Sequence, residues 1–155
     1  MTHRIRAAAL IIQNDQVLLV KHVHPITGDT WWVPPGGGLA SEDASIFACV
    51  RREVFEETGL RVELSRIVYI REFIDLENNT HNLELFLAAQ SFSGELTMKN
   101  IPGSGPDEHY IKDVKWLSRE TVKDLVVFPE ILKDKFWEDA QAGFLETRYL
   151  GTQRG

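Results

Sequence analysis

The alternation of apolar and polar positions divides this chain into elements before any chemistry is considered. Arg4 to Ile12 holds an apolar run continuous enough for a strand buried on both faces, and Gln16 to Lys21 (QVLLVK) follows after the turn signal Asn14-Asp15. Two such runs across a short polar break predict a hairpin. His24 to Asp29 reads as a loop, and Trp31-Trp32-Val33 as a short extended piece, because a residue before proline avoids the helical region. Pro34 to Gly38 predicts a turn. Beyond the triple glycine, the apolar period predicts a helix of about five turns that stops at Gly59. Arg61 to Phe73 is rich in Val, Ile and Tyr and predicts a strand, interrupted near Ser65. His81 to Phe92 fits helix or strand by composition; a strand is expected, because the polar turn at residues 77–80 joins it to one.

Lys99 to His109 (KNIPGSGPDEH) predicts a mobile loop, Tyr110 to Leu117 an alternating strand, and Ser118 the N-cap of a short helix through Leu125. A final amphipathic helix is expected from Pro129, with Ile131, Leu132, Phe136 and Trp137 as its apolar positions. Strands flanked by a central and a terminal helix predict an α/β sandwich built on a mixed sheet.

Composition narrows this picture. A chain of 155 residues suits one domain, expected over residues 1–150, with residues 151–155 as a disordered tail. The net charge of −6 argues against a stable nucleic-acid partner held on a broad basic face. One cysteine, Cys49, cannot form an internal disulfide, which points to a reducing, cytoplasmic setting. The apolar run Ala7–Ile12 is too short for a targeting segment, and no run approaches the ~18 apolar residues of a membrane span. No membrane association is expected.

The predicted central helix carries the chemistry. Helical residues advance about 100° each, so with Glu53 at zero, Glu57 lies at roughly +40° and Glu56 at roughly −60°. Ile46, Phe47, Val50 and Val54 fall between roughly +20° and +120°, the core-facing arc. The glutamates therefore project from one helix edge, at the rim of the core. Glu53 and Glu57 form a like-charge i,i+4 pair, unfavourable by a few tenths of a kcal/mol. Anions at a helix C-terminal end cost a further ~0.3–1 kcal/mol each. Locally costly arrangements concentrate at functional sites. Clustered carboxylates suit the hard cations Mg²⁺ or Mn²⁺, and no Cys/His cluster argues for zinc. The plain alternative is a solvated charged face. The preceding Pro-Pro-Gly-Gly-Gly counts against it, since glycines let backbone N–H groups approach a phosphate.

These residues resemble the Nudix box, G-x₅-E-x₇-R-E-U-x-E-E-x-G-U with U a bulky apolar residue. Here the box runs from Gly38 to Arg52-Glu53-Val54-Phe55-Glu56-Glu57-Thr58-Gly59-Leu60, preceded by Trp32-Val33-Pro34-Pro35-Gly36-Gly37. The first Glu of the pattern falls on Ala44, with Glu42 and Asp43 out of register beside it. The resemblance implies a MutT-like α/β/α sandwich with a central mixed sheet, and Mg²⁺- or Mn²⁺-dependent cleavage of a diphosphate linkage in a nucleoside diphosphate joined to a second group. It implies Glu53, Glu56 and Glu57 as metal ligands, Arg52 as the residue that orients them, and the backbone at Gly37 and Gly38 as part of the metal and phosphate site. Glu53 and Glu108 are both candidates for the general base. Trp31 and Trp32 are candidates for stacking a base, against the plain alternative of core tryptophans.

The implied partner is a small-molecule nucleotide or diphosphate, and assembly, a homodimer included, is left open. Two other readings stand beside the hydrolase. One is a nucleotide-binding or regulatory module of the same fold without turnover, motivated by Ala44. The other is an isomerase using Cys49, although a small, buried, inert cysteine is the plainer expectation.

Overall fold

Asn14 and Asp15 both take left-handed backbone angles, with φ of 49° and 58°, the conformation whose twist suits two antiparallel strands. The hairpin they close is shorter than the apolar pattern suggests. The computed structural model, which describes residues 1–103 and 108–155, divides the first apolar run into β1 (Thr2–Leu10) and β2 (Ile12–Gln13). Only β2 forms the hairpin with β3 (Gln16–Val23), through Ile12↔Val17 and Gln13↔Gln16. β1 leaves at the fully buried Ile11 for a second sheet.

The remaining elements are β4 (Thr30–Val33), β5 (Gly36–Gly38), α1 (Ile46–Thr58), β6 (Arg61–Asp75), β7 (Thr80–Ser93), β8 (Ile111–Ser118), α2 (Arg119–Lys123), α3 (Lys135–Gln141) and β9 (Arg148–Arg154). The central mixed sheet has the order β5-β1-β7-β6-β9, with β1–β7 and β6–β9 parallel and the other pairs antiparallel. A smaller antiparallel sheet joins β2 and β4 to one edge of β3 and β8 to the other. α1 covers one face, through Val50 and Val54 on Ala7, Ala9, Leu18 and Leu87. Phe136 of α3, Val122 of α2 and Leu132 cover the other, with Leu10, Leu19, Trp32, Tyr69 and Phe86. The result is the expected α/β/α sandwich. No helix among the described residues is long and apolar enough to cross a membrane.

Several boundaries move for physical reasons. The glycine triplet is not a turn: it is strand β5, antiparallel to β1. Gly36 fits there because a Cβ would lie 2.3 Å from the Ala7 carbonyl oxygen. The helix accordingly starts only at Ile46, where the Ser45 hydroxyl accepts a 3.0 Å bond from the Ala48 N–H. It ends where Gly59, at φ 79°, donates back to the Phe55 carbonyl. The strand expected from Arg61 runs through Ser65 without a break but shifts register between Glu63 and Tyr69. The helix expected from Pro129 is a 3-10 turn, Glu130–Lys133, followed by α3, because the Asp134 carboxylate caps the Lys135 N–H and restarts the helix.

The expectation of a disordered tail is corrected. Residues 148–154 form β9, parallel to β6, and Gly155 exchanges backbone bonds with Ile74 and Leu76. Main-chain pairing holds this polar edge strand, so it leaves no hydrophobic signature. In the loop expected from Lys99 to His109, residues 104–107 lie outside the described residues. Glu108 opens a 3-10 turn, Glu108–Tyr110, that leads into β8.

Candidate active site

The C-terminal half of α1 lies along β5, so each glutamate meets a different environment. Glu57, only 6% exposed, accepts a 3.0 Å bond from the Gly36 N–H. Glu53 reaches under Gly37, where an added Cβ would lie 2.5 Å from its carboxyl carbon. The absence of a side chain at position 37 is what gives that carboxylate its room. Glu56 stands further out, on the side of Glu108. The helical arc thus places Glu53 and Glu56 at the rim, as expected, and sinks Glu57 into the core.

Burial governs the titration of all three. It pushes Glu57 well above the ordinary carboxylate range, reinforced by the Glu53 charge and opposed by the Gly36 N–H and by Arg6. It also raises Glu53, against Arg52 and Arg6, and Glu56, against Arg52 but with Glu108 adding to the rise. Carboxylates held in this state favour a nearby cation.

Arg52 supplies one fixed cation. Its guanidinium forms a two-pronged pair with Asp43, at 2.9 Å and 2.8 Å, and reaches Glu53 at 2.9 Å and Glu56 at 3.4 Å. Asp43 in turn accepts a 2.9 Å bond from the Ala40 N–H. The Arg52 guanidinium holds the Asp43 carboxyl at about 2, below its ordinary 3.8. Asp43 therefore supports the site by fixing Arg52, one residue before the position where the box pattern has its first Glu. Asp43→Asn is expected to lower the melting temperature at pH 7 by roughly 2–4 °C, for a loss of ~1 kcal/mol in a domain of this size. The pair stabilises fully above the ordinary Asp pKa and weakens as pH falls through about 2. The difference between Asp43→Asn and the parent should therefore shrink steadily in melts taken from pH 4 downward.

Two further cations come from β1. Arg4 lies beside Gly38, its Nη2 2.8 Å from where a Cβ would stand, and Arg6 is near enough to lower both Glu53 and Glu57. Neither was singled out from the sequence. Their i,i+2 spacing on a strand, which puts both on one face, was the available signal. A cleft beside them is lined by Arg6, Ala8, Pro34, Gly36, Arg71 and Phe128. On its floor Arg71, 6% exposed, pairs with Glu84 and Gln153.

Residues 2–136 match the family model described as the NUDIX domain. The chain belongs to the Nudix family. Among solved structures, a Nudix hydrolase from Nitrosomonas europaea superposes with a TM-score of 0.70 at 23% identity, covering 94% of this chain and 93% of that one. A MutT Nudix hydrolase from Burkholderia pseudomallei gives 0.66 at 24% identity, over 83% and 92%. Diphosphoinositol polyphosphate phosphohydrolase 2 is 39% identical over 80 residues in its Mus musculus and Homo sapiens forms, covering 49% of this chain and 42% of each relative. The match thus spans less than half the length of those relatives.

In this Nudix chain, Arg52, Glu53, Glu56, Glu57, Gly37 and Gly38 come together as expected, with Glu108 beside Glu56. Trp32 does not join them. It is 6% exposed in the core, fixed by backbone bonds to Val126 and Phe128, so its assignment to substrate binding is corrected. Cys49 is fully buried against the Gly37 and Gly38 carbonyls, and burial pushes its thiol up to about 12, which removes the nucleophile an isomerase would need.

Among the described residues, no group of three or more His, Cys, Asp or Glu side chains is placed to hold a metal ion as it stands. Arg52 draws Glu53 and Glu56 to itself, while Glu57 is turned to Gly36. The donor set nevertheless fits a hard cation: it is all oxygen, burial disfavours its bare charge, and Glu108 Oε2 is buried with no hydrogen-bond partner.

Proposed function

We propose that the protein is a divalent-metal-dependent hydrolase that cleaves the diphosphate linkage of a nucleoside diphosphate joined to a second group. The observation that carries this is a row of three glutamates, each raised by burial, with Glu53 and Glu57 against the side-chain-free strand β5 and Glu56 tied to Glu53 through Arg52. Glu53, Glu56 and Glu57 would hold Mg²⁺ or Mn²⁺, with the main chain at Gly37 beside them. A cation bound there would neutralise the diphosphate and acidify the attacking water.

The chain's own residues do the rest. Arg52 holds Glu53 and Glu56 at fixed distances, so the carboxylates need little reorganisation when charge develops. Gly37 and Gly38, having no side chains, let the Glu53 carboxylate and the Arg4 guanidinium lie close against the main chain of β5, and Arg6 adds positive charge along the same edge. The attacking water adds to phosphorus, the bridging P–O bond breaks, and the proton released passes to a carboxylate. Glu53, raised by burial above the ordinary carboxylate range, and Glu108, with its unpartnered oxygen, are the two candidates for that base.

A second substrate class has its own support. Arg4, Arg6 and Arg71 along one sheet face suit a substrate bearing more phosphate than a simple nucleotide sugar, and the relatives matched over 80 residues are diphosphoinositol polyphosphate phosphohydrolases. A screen with Mg²⁺ over nucleoside triphosphates, nucleotide sugars, ADP-ribose, dinucleoside polyphosphates and diphosphoinositol polyphosphates separates the two. Turnover of a nucleoside diphosphate derivative, abolished by EDTA, is the expected result. Turnover confined to the inositol compounds would select the second class. Tight nucleotide binding with no turnover of any compound would instead support a binding module.

A further inference from the structure

Glu108 lies far in sequence from α1, on a three-residue 3-10 turn, yet its charge reaches Glu56 and its Oε2 is buried without a partner. A carboxyl group facing another carboxylate is repelled unless something fixes it. The turn is too short to do so by its own hydrogen bonds. The anchor is the ring two residues on. Tyr110 meets His24 edge-on at 5.6 Å and Trp31 at 6.0 Å, and Trp31 stacks on the buried His22 at 5.6 Å with 22° between the ring planes. His22 sits where the β3–β8 register shifts, opposite Ile111, the first residue of β8. Bulges of this kind re-aim side chains next to active sites. The aromatic stack therefore fixes the turn at the point where it enters the sheet.

We propose that Tyr110 is a positioning residue: its ring, seated on Trp31 and His24, holds the Glu108 carboxylate beside Glu56 and so makes Glu108 part of the charge set that attracts the cation. This rests on the hydrolase reading for its role in turnover, but its test does not need turnover. The contact is made by the ring, so Tyr110→Phe should preserve it and Tyr110→Ala should release Glu108.

Mn²⁺ affinity, measured by electron paramagnetic resonance without substrate on the full chain, reads the charge at Glu108 directly. Glu108→Gln is expected to weaken Mn²⁺ binding about 5- to 10-fold, on the scale of one nearby charge. Tyr110→Ala should weaken it by a similar factor and Tyr110→Phe by less than about two-fold, while the Tyr110→Ala/Glu108→Gln double variant should be no weaker than Glu108→Gln. Trp31→Ala removes the same contact from the other side and replaces Tyr110→Ala if that variant does not fold. The proposal is overturned if Tyr110→Ala leaves Mn²⁺ affinity unchanged, or weakens it equally with and without Glu108. Coupled Mn²⁺ affinities in a protein with no hydrolytic turnover would uphold the positioning role and reject the hydrolase reading alone.

Discussion

Glu57→Gln should abolish most Mg²⁺-dependent hydrolysis, by roughly 10²–10³-fold in kcat, and at the same time make the metal-free protein more stable. The two effects have one cause. Glu57 is buried at 6% exposure with one backbone donor, the Gly36 N–H, which a glutamine oxygen can also use. The substitution thus keeps the hydrogen bond and removes a charge the interior disfavours. Below about pH 4.5, the ordinary Glu value, the carboxyl is protonated in folded and unfolded chains alike, and the substitution should be silent. As pH rises past that value, the unfolded chain releases a proton that the folded chain keeps, so the native state of the parent loses stability until Glu57 itself ionises. The advantage of Glu57→Gln should therefore grow with pH, reaching on the order of 1 kcal/mol, or about 2–4 °C in melting temperature, under neutral to alkaline conditions in EDTA. Added Mg²⁺ should raise the melting temperature of the parent and leave that of Glu57→Gln nearly unchanged. Near-parental activity in Glu57→Gln would defeat the assignment of this carboxylate to the cation.

The helix half of this site was legible because it is periodic. Glu53, Glu56 and Glu57 are tied to one edge by the geometry of α1, and the buried Val50 and Val54 fix which edge faces the core. What the period does not carry is distance. A helix predicts the i,i+4 pair of Arg52 with Glu56, but nothing in the order of residues says that Arg52 also grips Asp43, or that β1 brings Arg4 and Arg6 alongside β5. The placement of Arg4 and Arg6 depends on β1 pairing with β5, a contact between segments some thirty residues apart. The glycine triplet read as a turn because glycine and proline mark turns locally. It is a strand because α1 and β1 leave no volume for side chains there. The polar β9 was missed for the opposite reason: its backbone bonds to β6 hold it in place although none of its residues is fully buried. Trp32 could be read either as a stacking surface or as core, and the sequence kept both open; its burial among Leu10, Leu19 and Phe136 decides for core.

The triplet itself gives the sharpest separation between holding the fold and shaping the site. At Gly36 an added Cβ would meet the Ala7 carbonyl oxygen at 2.3 Å and the Ala8 Cα at 2.5 Å. Both are backbone atoms of β1, and neither can yield without parting the β1–β5 pairing. Gly36→Ala should cost about 3 kcal/mol, the upper end for overpacking a tight interior. That corresponds to a fall of roughly 6–12 °C in melting temperature. At Gly37 the atoms nearest the same methyl would be those of the Glu53 carboxyl group, at 2.5–2.8 Å. A side-chain end can swing aside, so Gly37→Ala should lose only about 1 kcal/mol of stability. Its carboxylate, however, would be displaced by about 1 Å, enough to cost on the order of 10² in kcat. Melting curves and steady-state kinetics on the two variants should therefore rank them in opposite orders: Gly36→Ala the less stable, Gly37→Ala the more impaired per folded molecule. A Gly37→Ala enzyme with parental kcat would mean that Glu53 works from more than one position, and that the open strand serves the main chain of β1 rather than the carboxylate beneath it.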